Sequence, residues 1–399
     1  MMSKAFDRHD PRPLIAHVVY RFDTGGLENG VVNLINALPH DRYRHAVVAL
    51  TEIGAFRERV RRDDVQFIAL HKKPGPGIKL APALYQTFRA LAPAVVHTRN
   101  LAALEAALPA ALARVPVRIH GEHGWDVGDL GGTNRKNQLV RRVYRPFVMR
   151  HIALSQHLQA YLETSIGVPA RAIAQIYNGV DTTRFKPANE RASISGCPFG
   201  ADHWLVGTVG RLEVVKDQLT LARAFVRAIQ QSPAARERMR LVIVGNGRLR
   251  DDIAAVLKDG GVMDFAWFAG ERGDVAEVMR GLDAFVLPSL AEGISNTVLE
   301  AMATGLPVIA TAVGGNVELI EDAITGRLVP SNDPASLARV MLALFDDVAL
   351  QRRLGAAARA RVEQRFSLDR MVADYAAQYD ALLVRAGYSL PRWSVASGA

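Results

Sequence analysis

Short apolar runs, three to seven residues long, recur along the whole chain. Between them, apolar residues return every three or four positions. Runs of this length read as buried strands, and the intervening period is that of amphipathic helices. In the first half the predicted strands are 14–20, 46–50, 67–70, 94–97, 117–120, 151–154 and 173–176. In the second half they are 205–209, 241–244, 265–268, 284–287, 308–310 and 326–329, with clear helical periodicity at, for example, 218–230 and 333–345. Strand and helix in strict alternation is the βαβ signature of a parallel sheet. The pattern is weakest at 187–202, where Pro, Gly and Ser accumulate as in a linker. At 399 residues the chain is long for one core. The expectation is an α/β protein of two Rossmann-like, doubly wound parallel-sheet domains facing a central cleft. The first spans 1–190, the second 199–367, and 368–399 forms a closing helical segment.

Composition narrows the class. An apolar share of 49% with 22% charged residues is ordinary for a soluble globular protein. The single cysteine, Cys197, excludes an intramolecular disulfide and a multi-cysteine metal site, and fits a reducing compartment. Residues 1–10 carry Lys4, Asp7, Arg8 and Asp10 and have no apolar core, so no secretory signal is read there. No stretch reaches the roughly 20 apolar residues of a membrane span; the best, 101–117, is broken by Glu105, Pro109 and Arg114. A cytoplasmic chain is expected. Residues 1–198 hold 27 Lys+Arg against 16 Asp+Glu, whereas residues 199–399 hold 22 against 24. A basic first half suits an anionic membrane or a phosphate-bearing acceptor, or serves solubility alone.

The richest chemistry lies in the run Ala291 to Pro307, which leaves strand 284–287 through a Pro-Ser turn and enters a helix. Glu292 and Glu300 bracket that strand-to-helix turn. In a doubly wound sheet such a turn lies at the carboxyl ends of the strands, where ligands bind. Free amides and the positive end of the helix dipole favour an anion there. Glu300 can accept two hydrogen bonds from a vicinal diol such as a ribose, and Glu292 can face the ligand. An anion site that also grips hydroxyls suits a nucleotide sugar.

Other turns add to this. Arg211 and Lys216 flank the turn after strand 205–209, where two cations can neutralise a diphosphate without metal or stand as solvated surface charges. Gly25-Gly26 opens a helix after the first strand, either admitting a ligand close to the backbone or forming an ordinary tight turn. Val244 to Arg250 begins like the dinucleotide fingerprint but has Arg250 where the third glycine belongs, which argues against a nicotinamide or flavin enzyme and leaves a loop walling the nucleotide pocket. In Glu122-His123-Gly124-Trp125, a histidine in a glycine-flanked turn can meet a substrate hydroxyl or stay structural. Asn178-Gly179-Val180-Asp181 reads as a turn and cap. No Asp-x-Asp metal–diphosphate clamp, His-x-x-x-His, Gly-x-Ser-x-Gly or P-loop pattern occurs, so neither metal nor cofactor is expected. Residues 134–150 are basic and amphipathic: Leu139, Val143 and Phe147 share a face beside Arg135, Lys136, Arg141, Arg142 and Arg145. Such a helix lies on an anionic bilayer or packs on the core with a wet basic side, and Pro146 shortens it. Aromatic-interleaved basic motifs for nucleic acid are absent.

Taken in order, Gly25-Gly26, Glu122-His123-Gly124, Asn178 to Asp181, Gly210-Arg211, Lys216 and Glu292 to Glu300 resemble the retaining glycosyltransferases of family 4, the glycosyl transferases group 1. The wording Glu-Gly-Ile-Ser-Asn-Thr-Val-Leu-Glu is similar to the branch associated with bacterial exopolysaccharide clusters. The resemblance implies a GT-B fold, with acceptor on the first domain and nucleotide-sugar donor, UDP- or GDP-linked, on the second. It implies that Arg211 and Lys216 hold the donor diphosphate and Glu300 the ribose. Glu292 and the amides of Gly293, Ile294, Ser295 and Asn296 would hold the transferred sugar. Gly25 and Gly26 would approach the phosphates, and His123 the anomeric centre. Many members have Phe-Gly where this chain has Ile294-Ser295, so the sugar pocket differs. The acceptor implied is a glycan or polyprenyl-linked glycan, met at the inner face of the cell membrane. Transfer with retention would proceed by front-face departure of the diphosphate. A nucleotide-sugar 2-epimerase of the same two-domain fold is the alternative.

Overall fold

A computed structural model of the chain describes residues 10–75, 77–124, 129 and 131–390. The described residues form two compact units: Met1–Asn178 together with Asp369–Ala399, and Gly179–Leu368. The N-terminal stretch 1–9 and Trp125 of the His123 turn lie outside the described residues.

The first unit is built on a seven-stranded parallel sheet of order β3-β2-β1-β4-β5-β6-β7. Its strands are β1 (Leu14–Val19), β2 (Arg44–Ala49), β3 (Gln66–Ala69), β4 (Val95–Arg99), β5 (Val117–Glu122), β6 (Arg150–Ala153) and β7 (Ile173–Gln175). One face packs Leu14, Ala16, Val18, Ala46 and Val48 under Leu84, Phe88 and Leu91 of the helix Ala81–Leu91. The opposite face packs Val19, Val47 and Ala49 under Val31, Val32 and Ile35 of the helix Gly26–Ala37. Each large apolar side chain so buried contributes about 1.5–3 kcal/mol. The closing helix Leu368–Arg385 is tied to this unit by polar contacts. Tyr379 Oη meets His97 Nδ1 at 2.8 Å, Arg42 Nη2 donates to Asp380 at 2.6 Å, and the Tyr43 hydroxyl also reaches Asp380.

The second unit carries a six-stranded parallel sheet of order β10-β9-β8-β11-β12-β13. Its strands are β8 (Trp204–Val209), β9 (Met239–Val244), β10 (Ala266–Gly270), β11 (Ala284–Leu287), β12 (Val308–Thr311) and β13 (Arg327–Val329). Val206, Leu241, Ile243, Val286 and Ile309 pack under Leu221 and Phe225 of the helix Gln218–Gln231 and under Leu337 and Met341 of the helix Pro334–Asp346. In both sheets β1, or its counterpart β8, lies in the interior, and the strand order reverses beside it. That reversal is what opens a crevice at the carboxyl ends.

Two expectations need correction. Residues 187–202 are not a linker but part of the second unit. Arg191 anchors them, its Nη1 donating to Asp283 at 2.7 Å and its Nη2 to the Ala201 carbonyl at 2.8 Å, while Ile194 is buried against Gly281. The Pro, Gly and Ser content there marks tight local turns, and one arginine fork satisfies the backbone they leave unpaired. The second correction concerns the basic stretch. Its helix runs Arg135–Tyr144 and gives way to a tighter turn at Pro146, as expected, but the reading that buries its apolar face fails. Leu139 and Val143 are 60% and 54% exposed, and the buried positions are Arg141 and Tyr144. An ion pair with the buried Glu122 draws Arg141 inward and turns the apolar face outward.

Candidate active site

In the second unit the turns leaving β8, β9, β11 and β12 pack against one another. After β8, Gly210 takes φ +155°, and Arg211 follows with an exposed guanidinium that forms no ion pair among the described residues. The turn continues into a short helix, Val214–Lys216, and the Val215 carbonyl accepts the Leu290 N–H at 2.8 Å. That bond joins the β8 turn to the β11 turn. Their side chains meet too: Lys216 Nζ donates to Glu292 Oε1 at 2.6 Å and Ser289 Oγ to the same oxygen at 2.5 Å. Both bonds end on Oε1, so Oε2 keeps its lone pairs for a ligand hydroxyl. Ser289 is itself held, its carbonyl accepting from Thr311 Oγ1 of β12 at 2.6 Å.

Glycines let these turns close up. A Cβ on Gly314 would sit 1.9 Å from the Glu292 carbonyl, and one on Gly315 would sit 1.8 Å from the Gly293 carbonyl. A Cβ on Gly245 would meet the Gly210 carbonyl at 2.0 Å, so the 244–250 loop lies directly against the Arg211 turn. Ser295 caps the helix Asn296–Ala303, its Oγ accepting from the Val298 N–H at 3.3 Å. Ser295 Oγ is thus spent on the cap, and Ile294 is buried. Glu300 is half-buried, one turn into the helix.

Gly25 caps the helix Gly26–Ala37 in the first unit, and a Cβ there would meet Glu28 Oε2 at 2.2 Å, so this helix's own carboxylate lies over the glycine turn. His123 follows β5, and its backbone N–H donates to Asn100 Oδ1 at 2.7 Å. Burial, with Arg99 beside it, pushes His123 down to about 3, so the ring is neutral near pH 7. Its Nε2 is buried without a partner among the described residues. Glu122 is 1% exposed and receives Arg141 Nε at 2.6 Å and His120 Nε2 at 3.2 Å. Burial alone would raise its pKa, but His120 and Arg141 outweigh that and hold it at about 2. Asp181 does what a turn residue does, its Oδ1 accepting the Thr183 and Arg184 N–H groups at 3.0 Å each.

Arg211, Lys216, Glu292, Gly293, Ile294, Ser295, Asn296 and Glu300 therefore share one edge of the second sheet, and Gly25, Gly26 and His123 lie at strand exits of the first. Sequence reasoning did not single out Ser289, Thr311, Arg99 or Asn100, and it named Glu122 and Arg141 without their buried ion pair. Ser289 carried a signal, the Pro-Ser turn before Glu292. Arg99 was hidden because β4 extends two residues past its predicted end at His97.

Comparison with known proteins follows this geometry. Residues 204–347 match the family model Glycosyl transferases group 1, and residues 24–184 match Glycosyltransferase Family 4. The UDP-Gal:alpha-D-GlcNAc-diphosphoundecaprenol alpha-1,3-galactosyltransferase of Escherichia coli is 30% identical over 267 residues, which is 64% of this chain and 67% of that protein. The D-inositol 3-phosphate glycosyltransferase of Streptomyces scabiei is 32% identical over 222 residues, 53% of this chain, and the chain spans about half (49%) of that relative. Among solved structures, Anabaena Alr3699/HepE in complex with UDP-glucose matches with a TM-score of 0.77 at 22% identity, over 93% of this chain and 100% of that one. The chain belongs to the glycosyl transferases of group 1 and family 4, and it is a glycosyltransferase of the GT-B fold.

Proposed function

We propose that this glycosyltransferase moves a hexose from a UDP-sugar to a hydroxyl of a glycan or polyprenyl-linked glycan, with retention and without a metal, in the assembly of a bacterial exopolysaccharide or other surface polysaccharide. The observation that carries the reading is the Lys216–Glu292–Ser289 node at the carboxyl ends of β8 and β11. A cation and a fixed carboxylate are paired there with a second, exposed cation, Arg211, in the same turn. As the bond from the anomeric carbon to the diphosphate breaks, negative charge grows on the leaving oxygens. Arg211 and Lys216 stabilise that charge from preset positions. The acceptor oxygen bonds to the anomeric carbon on the same face, and its proton passes to the departing diphosphate. Glu292 orients the sugar through its open oxygen, and Glu300 holds the ribose. UDP is favoured over GDP because the Escherichia coli relative is named for UDP-Gal and the Anabaena structure contains UDP-glucose. Both relatives are named for transfers, which gives an epimerase no support.

A place at the inner face of the membrane is part of the same proposal. Among the described residues no helix is long and apolar enough to cross a bilayer. Leu139 and Val143, exposed beside Arg135 and Lys136, suit an anionic surface. The test is incubation with UDP-sugars in excess EDTA, with and without a polyprenyl-diphosphate-linked sugar. An acceptor-dependent product with the donor's anomeric configuration is expected. Conversion of the donor alone would favour epimerisation, and loss of activity in EDTA would refute metal independence.

A further inference from the structure

Arg211 stands between a glycine and a doubly held carbonyl. On its N-terminal side Gly210 takes φ +155°, a backbone that brings a glycine's freedom with it. On its C-terminal side the Arg211 carbonyl accepts two hydrogen bonds, from the Glu213 N–H at 3.0 Å and from Gln218 Nε2, also at 3.0 Å. The first is local and satisfies the carbonyl by itself. The second reaches back seven positions from the first residue of the helix Gln218–Gln231. It closes into a ring the turn that carries both Arg211 and Lys216.

The helix does not need Gln218 in order to start. Asp217, at φ +47°, caps it: Oδ1 accepts the Thr220 N–H at 3.4 Å, and Oδ2 accepts the Thr220 hydroxyl at 2.7 Å. Gln218 is 2% exposed nonetheless, and its Oε1 is buried without a partner among the described residues. A buried acceptor left unmet is destabilising, and an apolar side chain of the same length would avoid it. Stability therefore gives no reason for an amide at this position. Lys216 is fixed by other means. Its Nζ donates to Glu292, its N–H to the Glu213 carbonyl at 2.8 Å, and the adjacent Val215 carbonyl accepts from Leu290. Arg211 has no such anchor on its side chain: its guanidinium is exposed and forms no ion pair among the described residues. Its direction is set by its own backbone, which Gln218 holds. We propose that Gln218 is the positioning residue for Arg211, its amide fixing the peptide from which the guanidinium reaches the donor diphosphate. A cation aimed before charge develops stabilises that charge without reorganisation. The inference rests on the donor-diphosphate reading above.

The test is calorimetric titration of UDP onto the full chain, with Gln218→Met placed in the wild-type and in the Arg211→Ala background. In the wild-type background Gln218→Met should weaken UDP binding about fivefold to tenfold. With Arg211→Ala present, the same substitution should change affinity less than about twofold, since no guanidinium is left to aim. Melting temperatures should stay within about 2 °C in both backgrounds. Wild-type affinity in Gln218→Met, with Arg211→Ala weakened, overturns the inference and leaves the donor reading standing. Wild-type affinity in Arg211→Ala, or no UDP binding to the wild type, overturns both. Equal losses from Gln218→Met with and without Arg211 make Gln218 a structural residue and overturn the inference alone. Where Arg211→Ala binds too weakly to titrate, melting decides: a fall of more than about 4 °C in Gln218→Met would assign its lost affinity to the fold and defeat the proposal. An unmoved melting temperature beside a lost affinity upholds it.

Discussion

The two sheets share a topology but place polar chemistry differently. In the first unit, charged and titratable groups lie inside the strands: His17, His45, His97, Arg99, His120, Glu122 and His151 are all buried. In the second unit the strand interiors are apolar apart from residues such as Thr208 and Thr311, and the candidate groups Arg211, Lys216 and Glu292 stand in the turns beyond them. Ten of the eleven histidines precede residue 179. One architecture thus carries a polar layer within its sheet in one copy and a turn-borne site at its edge in the other. The polar layer costs stability unless every partner is present, whereas the turns act on an ordinary apolar base that tolerates their loss.

The largest expected effect separates the units by acid. Burial pushes His123 and His151 down to about 3, and His17, His45 and His97 well below their ordinary value. Below pH 6.5 the unfolded chain binds these protons and the folded one does not, so stability is complete above 6.5 and falls as pH drops towards 3. Each histidine removes about 1.4 kcal/mol at pH 5.5, and five act together. Hydrogen exchange at pH 7 and 5.5 should therefore show β1, β2, β4, β5 and β6 losing protection while β8, β9, β11 and β12 keep theirs. Equal loss in both sheets would erase the distinction.

Next comes Glu122→Ala, which leaves Arg141 buried without its partner and should cost about 3–5 kcal/mol. Calorimetry should show a lower melting temperature for the first unit alone. Glu292→Ala is the converse. Transfer should fall by about 100- to 1,000-fold, as when a preset group is removed from a site of developing charge, while the melting temperature holds. A fold defect would place Glu292 with the structural network. Ser289→Ala should be the mildest, lowering kcat about tenfold through a loosened Glu292 with the fold intact, and Ser289→Thr should restore part of it. Unchanged kcat would separate Ser289 from the site.

The thirteen strands among the described residues were legible because parallel-sheet strands are largely apolar runs that periodicity finds. The turns that hold the second unit's candidate residues were legible for a related reason: glycines and charges in strand-to-helix turns stand out against an apolar background. The first unit's polar layer was not. His17, His97 and Arg99 interrupt apolar runs, and nothing in the order of residues tells that they meet across two neighbouring strands. The basic helix misled through the same gap, since Arg141 turns inward only because Glu122, nineteen positions earlier, lies in the next layer. Composition likewise placed a linker at 187–202, where a single arginine folds the segment onto its unit.

The central claim is that the turn-borne edge of the second sheet binds a nucleotide sugar, with Glu300 on the ribose and Glu292 on the sugar. Calorimetric titration of UDP into the wild-type chain, Glu300→Ala and Glu292→Ala tests it most directly. The prediction is saturable UDP binding by the wild type, a loss of about tenfold or more in Glu300→Ala, and wild-type affinity in Glu292→Ala, since free UDP carries no sugar. UDP binding of equal strength in Glu300→Ala, or no binding to the wild type, would contradict it.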